Sequence, residues 1–334
     1  MKILLATPLY PPQSGGPSTY AKLLVDELPK RGIDVVLVKF GDVGHLPSGI
    51  RHAAYFFKCL TLGRKVDLIY ALDPVSVGLP ASWAAKILGK KFMLRVPGDF
   101  AWEQGRQRFG VQEELDEFQT KTYSNQVERL RRIQQKVANR AAKIVVPSEY
   151  MRRVVSGWMK NKSKVEVIYS SIHMPVAFEL PKDRPEGFLV VTIARRVPWK
   201  GVEALEKVVG QEKGWHFKLL ADLPHKEAMG WVKAADVFAL NSTYEGLSHA
   251  LVEAMSLGTP VVATNVGGNP ELIESGENGI LIPPKDNESL YKALKEIEQN
   301  KEAAKARAQS AMEKTKQFSS EVAIEKLVQL LKHI

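Results

Sequence analysis

Short, wholly apolar runs alternate with amphipathic stretches along the chain. Met1–Thr7 is an apolar run that ends in a Pro/Gly-rich loop, PLYPPQSGGPS. A helical pattern over Thr19–Lys30 follows, then Gly32 and a second apolar run, IDVVLVKF. Strand, glycine loop, helix and strand make a βαβ unit. The grammar repeats: VDLIYAL (66–72) predicts a strand, Pro80–Leu88 a helix stopped at Gly89, and KFMLRV (91–96) a strand ending at Pro97-Gly98-Asp99. A long charged helix is predicted over Ser124–Ala142, and AKIVVPS (142–148) as the next strand. The second half predicts strands at FLVVTIA (188–194), FKLLAD (217–222), VFALN (237–241) and PVVAT (260–264), with a helix near Val202–Val209. Fully apolar strands alternating with helices belong to parallel sheets covered on both faces. Two such blocks, meeting near 170–187, predict an α/β chain of two doubly wound, Rossmann-like domains. The expected divisions are 1–170, a linker 171–187 carrying FELPKDRPEG, a second domain 188–318, and an amphipathic final helix within 319–334. Ligands of such sheets bind beyond the carboxyl ends of the strands, which directs attention to those loops and to a central cleft between the domains.

Composition narrows the class. At 334 residues, 45% apolar and 25% charged, the chain has the make-up of an ordinary globular protein. Its one cysteine, Cys59, excludes an internal disulfide, and its seven histidines form no HExxH or Cys/His cluster, so no metal is expected. The leading apolar run, Ile3–Ala6, is too short for a signal sequence, and no segment approaches the ~18 apolar residues of a membrane span. A cytoplasmic protein is expected, peripheral on the inner face of the membrane if it meets a membrane at all. Charge is unevenly spread. Residues 1–170 hold 27 Lys and Arg against 15 Asp and Glu, so they carry more than the whole chain's formal +10. That half suggests an anionic partner, a membrane surface, a nucleic acid or a phosphorylated substrate, although a basic solvated surface kept for solubility would read the same. RLRRIQQKVANRAAK (129–143) is its most basic segment. Leu130, Ile133, Val137 and Ala141 recur there at helical spacing; one reading docks this helix on anionic lipid, the other makes the four an ordinary core face with the cations in water.

Chemistry is sought in the loops after the strands. Gly15-Gly16 follows the first strand and opens a helix, where backbone N–H groups can meet an anion; a plain tight turn would read the same. There is no GxGxxG and no GxxxxGK[ST]. ARRVPWKG brings Arg195, Arg196 and Lys200 to one strand end, a set able to hold a diphosphate, although a solvated basic loop has the same composition. NSTYEGLSHALVEAM (241–255) puts Glu245 in the loop after VFALN and Glu253 in the helix that begins near Leu247 or Ser248. Gly246 to His249 present backbone N–H groups between the two carboxylates. Carboxylates suit the paired hydroxyls of sugars, while Glu253 read alone is also an ordinary helix-surface glutamate. VVATNVGGNPELI repeats the architecture, with Asn269 as N-cap, Pro270 in the first turn, and Gly267-Gly268.

ARRVPWKG together with NSTYEGLSHALVEAMSLGTPVVATNVGGNPELIESGENGILIPP resembles the donor domain of family-4 retaining glycosyltransferases of the GT-B fold. Glu245 and Glu253 match the family's Glu-x7-Glu, and Arg195 and Lys200 its basic pair. PPQSGGPSTYAKLL and VPSEYMRRVV match the N-terminal half more loosely. The resemblance implies a nucleotide-sugar donor in the second domain, a sugar or lipid-linked acceptor on the first, and no cofactor or metal. It implies that Arg195 and Lys200 hold the diphosphate. Glu245, with the backbone of Gly246, Leu247 and Ser248, would contact the transferred sugar, and Glu253 the ribose. Gly15 and Gly16 would approach the diphosphate, and the last helix would pack back on the first domain. The implied reaction is transfer to an acceptor hydroxyl with retention, as in cell-envelope polysaccharide or glycolipid synthesis. The chain departs from the pattern in three places. Asp99 stands where many relatives have a sugar-facing histidine, and either contacts the sugar or caps the following turn. ADLP (221–224) replaces a Gly-x-Gly-Pro turn in a shortened region, and Ser170-Ser171 replaces an Asn-Gly. His249, at the helix start, is a further sugar or phosphate contact, or a cap. A GT-B epimerase or phosphorylase is the nearest alternative enzyme. A nucleic-acid-binding protein would use the basic half but lacks its motifs, so no nucleic acid is expected.

Overall fold

The computed structural model describes residues 1–13, 15–169 and 177–334. Ser170-Ser171 lies outside them. The chain divides into two compact units, one of Met1–Tyr169 joined by Glu321–Ile334, the other lying within 177–320.

The first unit is built on β1 (Lys2–Thr7), β2 (Asp34–Lys39), β3 (Leu68–Ala71), β4 (Lys91–Arg95), β5 (Lys143–Val146) and β6 (Val165–Val167). They form one parallel sheet in the order β2-β1-β3-β4-β5-β6. Its helices are α1 (Gly16–Glu27), α2 (Ser48–Gly63), α3 (Gly78–Leu88), α4 (Phe100–Arg108), α5 (Leu115–Phe118), α6 (Asn125–Arg140) and α7 (Glu149–Ser156). The second unit has β7 (Phe188–Thr192), β8 (Trp215–Leu219), β9 (Val237–Leu240), β10 (Val261–Thr264) and β11 (Ile280–Ile282), all parallel, in the order β11-β10-β9-β7-β8. Its helices are α8 (Val202–Val209), α9 (His225–Ala234), α10 (His249–Ser256), α11 (Asn269–Leu272), α12 (Asn287–Gln299) and α13 (Lys301–Thr315). The last helix, α14 (Ser320–Lys332), returns to the first unit, where Ile324, Leu327, Val328 and Leu331 join α1 and β1 in one core.

The apolar strands are apolar because both faces are covered. Ile3 and Leu5 face α1 and α14, while Ile69 alternates to the other face and meets Gly63 of α2. Val165–Val167 and Ile280–Ile282, the two strands the apolar pattern did not reveal, are three-residue edges of their sheets. The segment 177–187 is fastened to the second unit. Arg184 donates to the Ala234 carbonyl at 2.8 Å and to Asp236 at 2.6 Å, and the Glu179 carbonyl approaches so closely that a Cβ on Gly230 would stand 2.1 Å from it. Of the apolar stripe of α6, Val137 and the following Ala141 are fully buried, as are Val127 and Ala138, but Leu130 and Ile133 are only half-buried; Arg129, Arg132 and Lys136 face water. Among the described residues, no helix is long and apolar enough to cross a membrane.

Asp99 takes the second of the roles open to it. It is fully buried as the N-cap of α4. Its Oδ1 accepts from the Trp102 backbone at 3.0 Å and from Gln134 at 2.9 Å, and its Oδ2 accepts from Gln119 at 2.9 Å. The expected sugar contact is therefore corrected, because the carboxylate spends its acceptors on protein and reaches no solvent. Burial pushes its pKa up, against the pull of these hydrogen bonds. Asp99→Ala strips a cap and leaves the buried Gln134 amide, and the half-buried Gln119 amide in part, short of an acceptor, so it is expected to cost about 2–4 kcal/mol of stability. Denaturant melts measure this; the affinity for a nucleotide-sugar should not change.

Candidate active site

In the second sheet the chain leaves β7 toward β8 on one side and then crosses to β9 on the other. The order reverses between β7 and β9, and an open α/β sheet has its crevice at that point. Three loops meet there, after β7, β9 and β10.

The β7 loop runs through Arg195 to a single 3-10 turn, Pro198–Lys200, anchored by the buried Trp199. Gly201 then adopts φ +58 and opens α8; a Cβ there would lie 2.1 Å from the Asn241 carbonyl, so only glycine allows the approach. The β9 loop is stitched to this turn. The Thr243 N–H donates to the Trp199 carbonyl at 2.8 Å, and the Asn241 amide donates to the Gly201 carbonyl at 3.2 Å. The β10 loop closes the third side. The Gly268 N–H donates to the Glu245 carbonyl at 3.0 Å, and Thr264 Oγ1 donates to the Ser242 carbonyl at 2.5 Å. A Cβ on Gly267, at φ +57, would stand 1.8 Å from the Glu245 carbonyl oxygen, and one on Gly268 2.5 Å from that of Gly246. The glycine pair is thus a seat for the β9 loop.

Lys200 and Glu245 meet in this frame. The Lys200 ammonium donates to Glu245 Oε1 at 2.6 Å, and the Ser242 hydroxyl donates to the same oxygen at 2.7 Å. Both side chains are largely buried, at 18% and 8% exposure, so the pair is shielded from bulk water. Arg195 is exposed in the same loop and makes no ion pair among the described residues, while Arg196 turns away to Glu203 and Glu206 on α8. Beyond Glu245, Gly246 and Leu247 lead to Ser248, whose hydroxyl caps α10 by accepting from the Leu251 N–H at 3.3 Å. The Leu247 and Ser248 side chains are buried, so these residues offer a ligand their backbone. His249 is the first helical residue and half-buried. Gly15 and Gly16 are in the first unit, where Gly15 at φ +124 is the N-cap of α1.

Glu253 lies a full turn into α10, and Nε2 of His225 donates to its Oε1 at 2.9 Å. This hydrogen bond, aided by the negative charge, holds the His225 imidazole above its ordinary value, against the pull of burial. The sequence reading did not single out His225. The shortened loop carried the signal: ADLP runs straight into α9, which puts its first residue, His225, beside α10. A raised value means that the folded state favours the charged imidazole. The stability from the pair is full below about pH 6.5 and fades as pH rises through the folded value. The melting temperatures of the native protein and His225→Ala are expected to differ more at about pH 6 than at about pH 9. Equal differences at both would remove the ion pair from the account.

Two family models match the chain: Glycosyltransferase Family 4 over residues 14–174 and Glycosyl transferases group 1 over residues 211–314. An uncharacterized glycosyltransferase of Methanocaldococcus jannaschii, MJ1178, is 27% identical over 203 residues, 54% of this chain and 56% of its own length. The lipopolysaccharide core biosynthesis glycosyltransferase LpsE of Rhizobium meliloti is 27% identical over 177 residues, 46% of this chain and 51% of its own. The chain thus spans about half the length of these curated relatives. Among solved structures, Anabaena HepE in complex with UDP-glucose superposes over the whole of both chains with a TM-score of 0.75 at 19% identity, a likeness of fold. With both halves matched by glycosyltransferase models, and the two parallel-sheet units superposing on such a structure, the chain belongs to the group 1, family 4 type of glycosyltransferases with the GT-B fold.

Proposed function

We propose that this protein transfers a hexose from a nucleotide-sugar to an acceptor hydroxyl with retention of anomeric configuration. The observation that carries the reading is the Lys200–Glu245–Ser242 cluster at the sheet's reversal point, with Glu253 a turn into the adjoining helix. In the reaction the bond between the anomeric carbon and the diphosphate oxygen breaks, and the diphosphate leaves with the electron pair. The acceptor oxygen bonds to the same face of the carbon, and its proton passes to the departing phosphate. Negative charge grows on the diphosphate; Lys200 opposes it from a largely buried position and Arg195 from the exposed part of the same loop. Lys200 already has an anionic partner in Glu245, so the donor's phosphate takes over or shares an existing cation.

Glu245 and the N–H groups of Gly246, Leu247 and Ser248 hold the sugar, Glu253 accepts from the ribose hydroxyls, and His249 faces sugar or phosphate. Gly15 and Gly16 serve as the anion-binding turn of the first unit. The second unit is thereby the donor domain and the first the acceptor domain, and no step calls for a metal. The UDP-glucose bound by HepE makes UDP-sugars the first donors to test, and the name of the Rhizobium relative favours a sugar or lipid-linked acceptor of the cell envelope. The test is incubation with UDP-glucose, with and without a simple glycoside, following UDP release and the first-formed product by proton NMR. A product that keeps the donor's α configuration supports the proposal. An inverted first product overturns retention.

A further inference from the structure

Three neighbouring helices of the first unit, α2, α3 and α6, carry a charge pattern unlike the rest of the chain. Together they hold eight lysines and arginines and one acid, Glu128, which pairs with Arg131 at 3.0 Å. α2 and α3 contain no acid at all. Large apolar side chains stand exposed on the same helices: Ile50 at 58%, Phe57 at 61%, Trp83 at 41% and Ile87 at 61%. The other large exposed apolar residues are scattered singly along the chain, as is ordinary for a surface.

Ile50 and Phe57, seven residues apart, lie on one side of α2, and Trp83 and Ile87, four apart, on one side of α3. Gly63 near the end of α2 abuts Leu88 at the end of α3; a Cβ on it would lie 2.8 Å from the leucine methyl. Both helices run antiparallel to the sheet, so Phe57 and Trp83, six and five residues back, come level. The Arg140 guanidinium sits 4.5 Å over the Trp83 ring, which joins α6 to α3. Lys86 on α3 and Arg129, Arg132 and Lys136 on α6 are exposed.

We infer that this face docks on the surface of an anionic phospholipid bilayer. Apolar side chains of this size enter the headgroup boundary, a tryptophan suits that interface, and the surrounding cations meet lipid phosphates. A nucleic acid would use the cations but leave Ile50, Phe57 and Ile87 without a role. The inference is independent of the glycosyl-transfer reading, because a chain without transferase activity would bind vesicles equally well.

The test is co-sedimentation of the full chain with vesicles of phosphatidylcholine alone or mixed with phosphatidylglycerol. The protein is expected to pellet with the mixed vesicles, to remain in solution with the neutral ones, and to be released by salt. Phe57→Ser with Ile87→Ser, and separately Lys86→Glu with Arg132→Glu, should each weaken the partition by about tenfold or more, since a few buried methylenes or two surface cations suffice for that. All four residues are exposed, so circular dichroism and melting should be unchanged, and either pair alone is decisive if the other fails to fold. Native protein that ignores anionic vesicles, or binds them undiminished in both variants, overturns the inference. Retention of a single-stranded homopolymer but not vesicles assigns the face to nucleic acid and overturns it as well.

Discussion

Replacing Lys200 with alanine is expected to lower the turnover of sugar transfer by roughly 10²–10³, the usual effect of deleting one group that opposes charge developing in a shielded site. The ammonium is fixed before any ligand arrives, by Glu245 at 2.6 Å and by a turn that Trp199 anchors. The substitution also leaves Glu245 with Ser242 as its hydrogen-bond partner, so a stability loss of about 1–3 kcal/mol accompanies it. Lys200→Ala combined with Glu245→Gln separates the two effects: the neutral amide relieves the stranded charge and should restore the melting temperature, but not turnover. Steady-state rates and denaturant melts on the native protein and the two variants check this. Turnover equal to native in Lys200→Ala would remove the residue from the chemistry.

Gly267→Ala is expected to abolish measurable donor binding while leaving both units folded. Its new methyl would stand 1.8 Å from the Glu245 carbonyl oxygen and 2.8 Å from the carbon, both backbone atoms, so the β9 loop has to move. The positive φ adds a cost of about 1–2 kcal/mol, and the displaced packing about as much again. Gly32 provides the control. It has φ +75, but a Cβ there meets nothing within 4 Å, so Gly32→Ala carries the backbone cost alone. Calorimetric titration with a nucleotide-sugar should find Gly32→Ala native-like. Full donor affinity in Gly267→Ala would mean that the glycine seat does not set the loop's position.

How far the sequence could be read depended on where the determining contacts lie. Every strand buried on both faces was legible as an apolar run, as in Leu68–Ala71 and Val237–Leu240. The edge strands Val165–Val167 and Ile280–Ile282 were not, since three residues carry too little pattern. Glu245 could be placed in the loop after β9 and Glu253 in the helix that follows because strand, loop and helix follow one another directly in the chain. The fate of Asp99 was hidden because Gln119 and Gln134, which occupy its oxygens, come from elements 20 and 35 residues away. His225 was missed for the same reason, its partner Glu253 being 28 residues on. The positive charge of the first half was legible as a sum. Its most basic segment pointed to α6, yet the exposed apolar residues stand on α2 and α3, whose outward faces no periodicity singled out.

A nucleotide-sugar site between the Lys200 and Glu245 loops and α10 is tested by a thermal-shift panel of UDP-, GDP-, ADP- and dTDP-sugars. A ligand bound only by the folded state raises the melting temperature by mass action. One nucleotide-sugar is expected to stabilise the native protein and to lose most of that effect in Glu253→Ala, whose ribose contact is gone. No shift from any of the four classes, or an undiminished shift in Glu253→Ala, would contradict such a site.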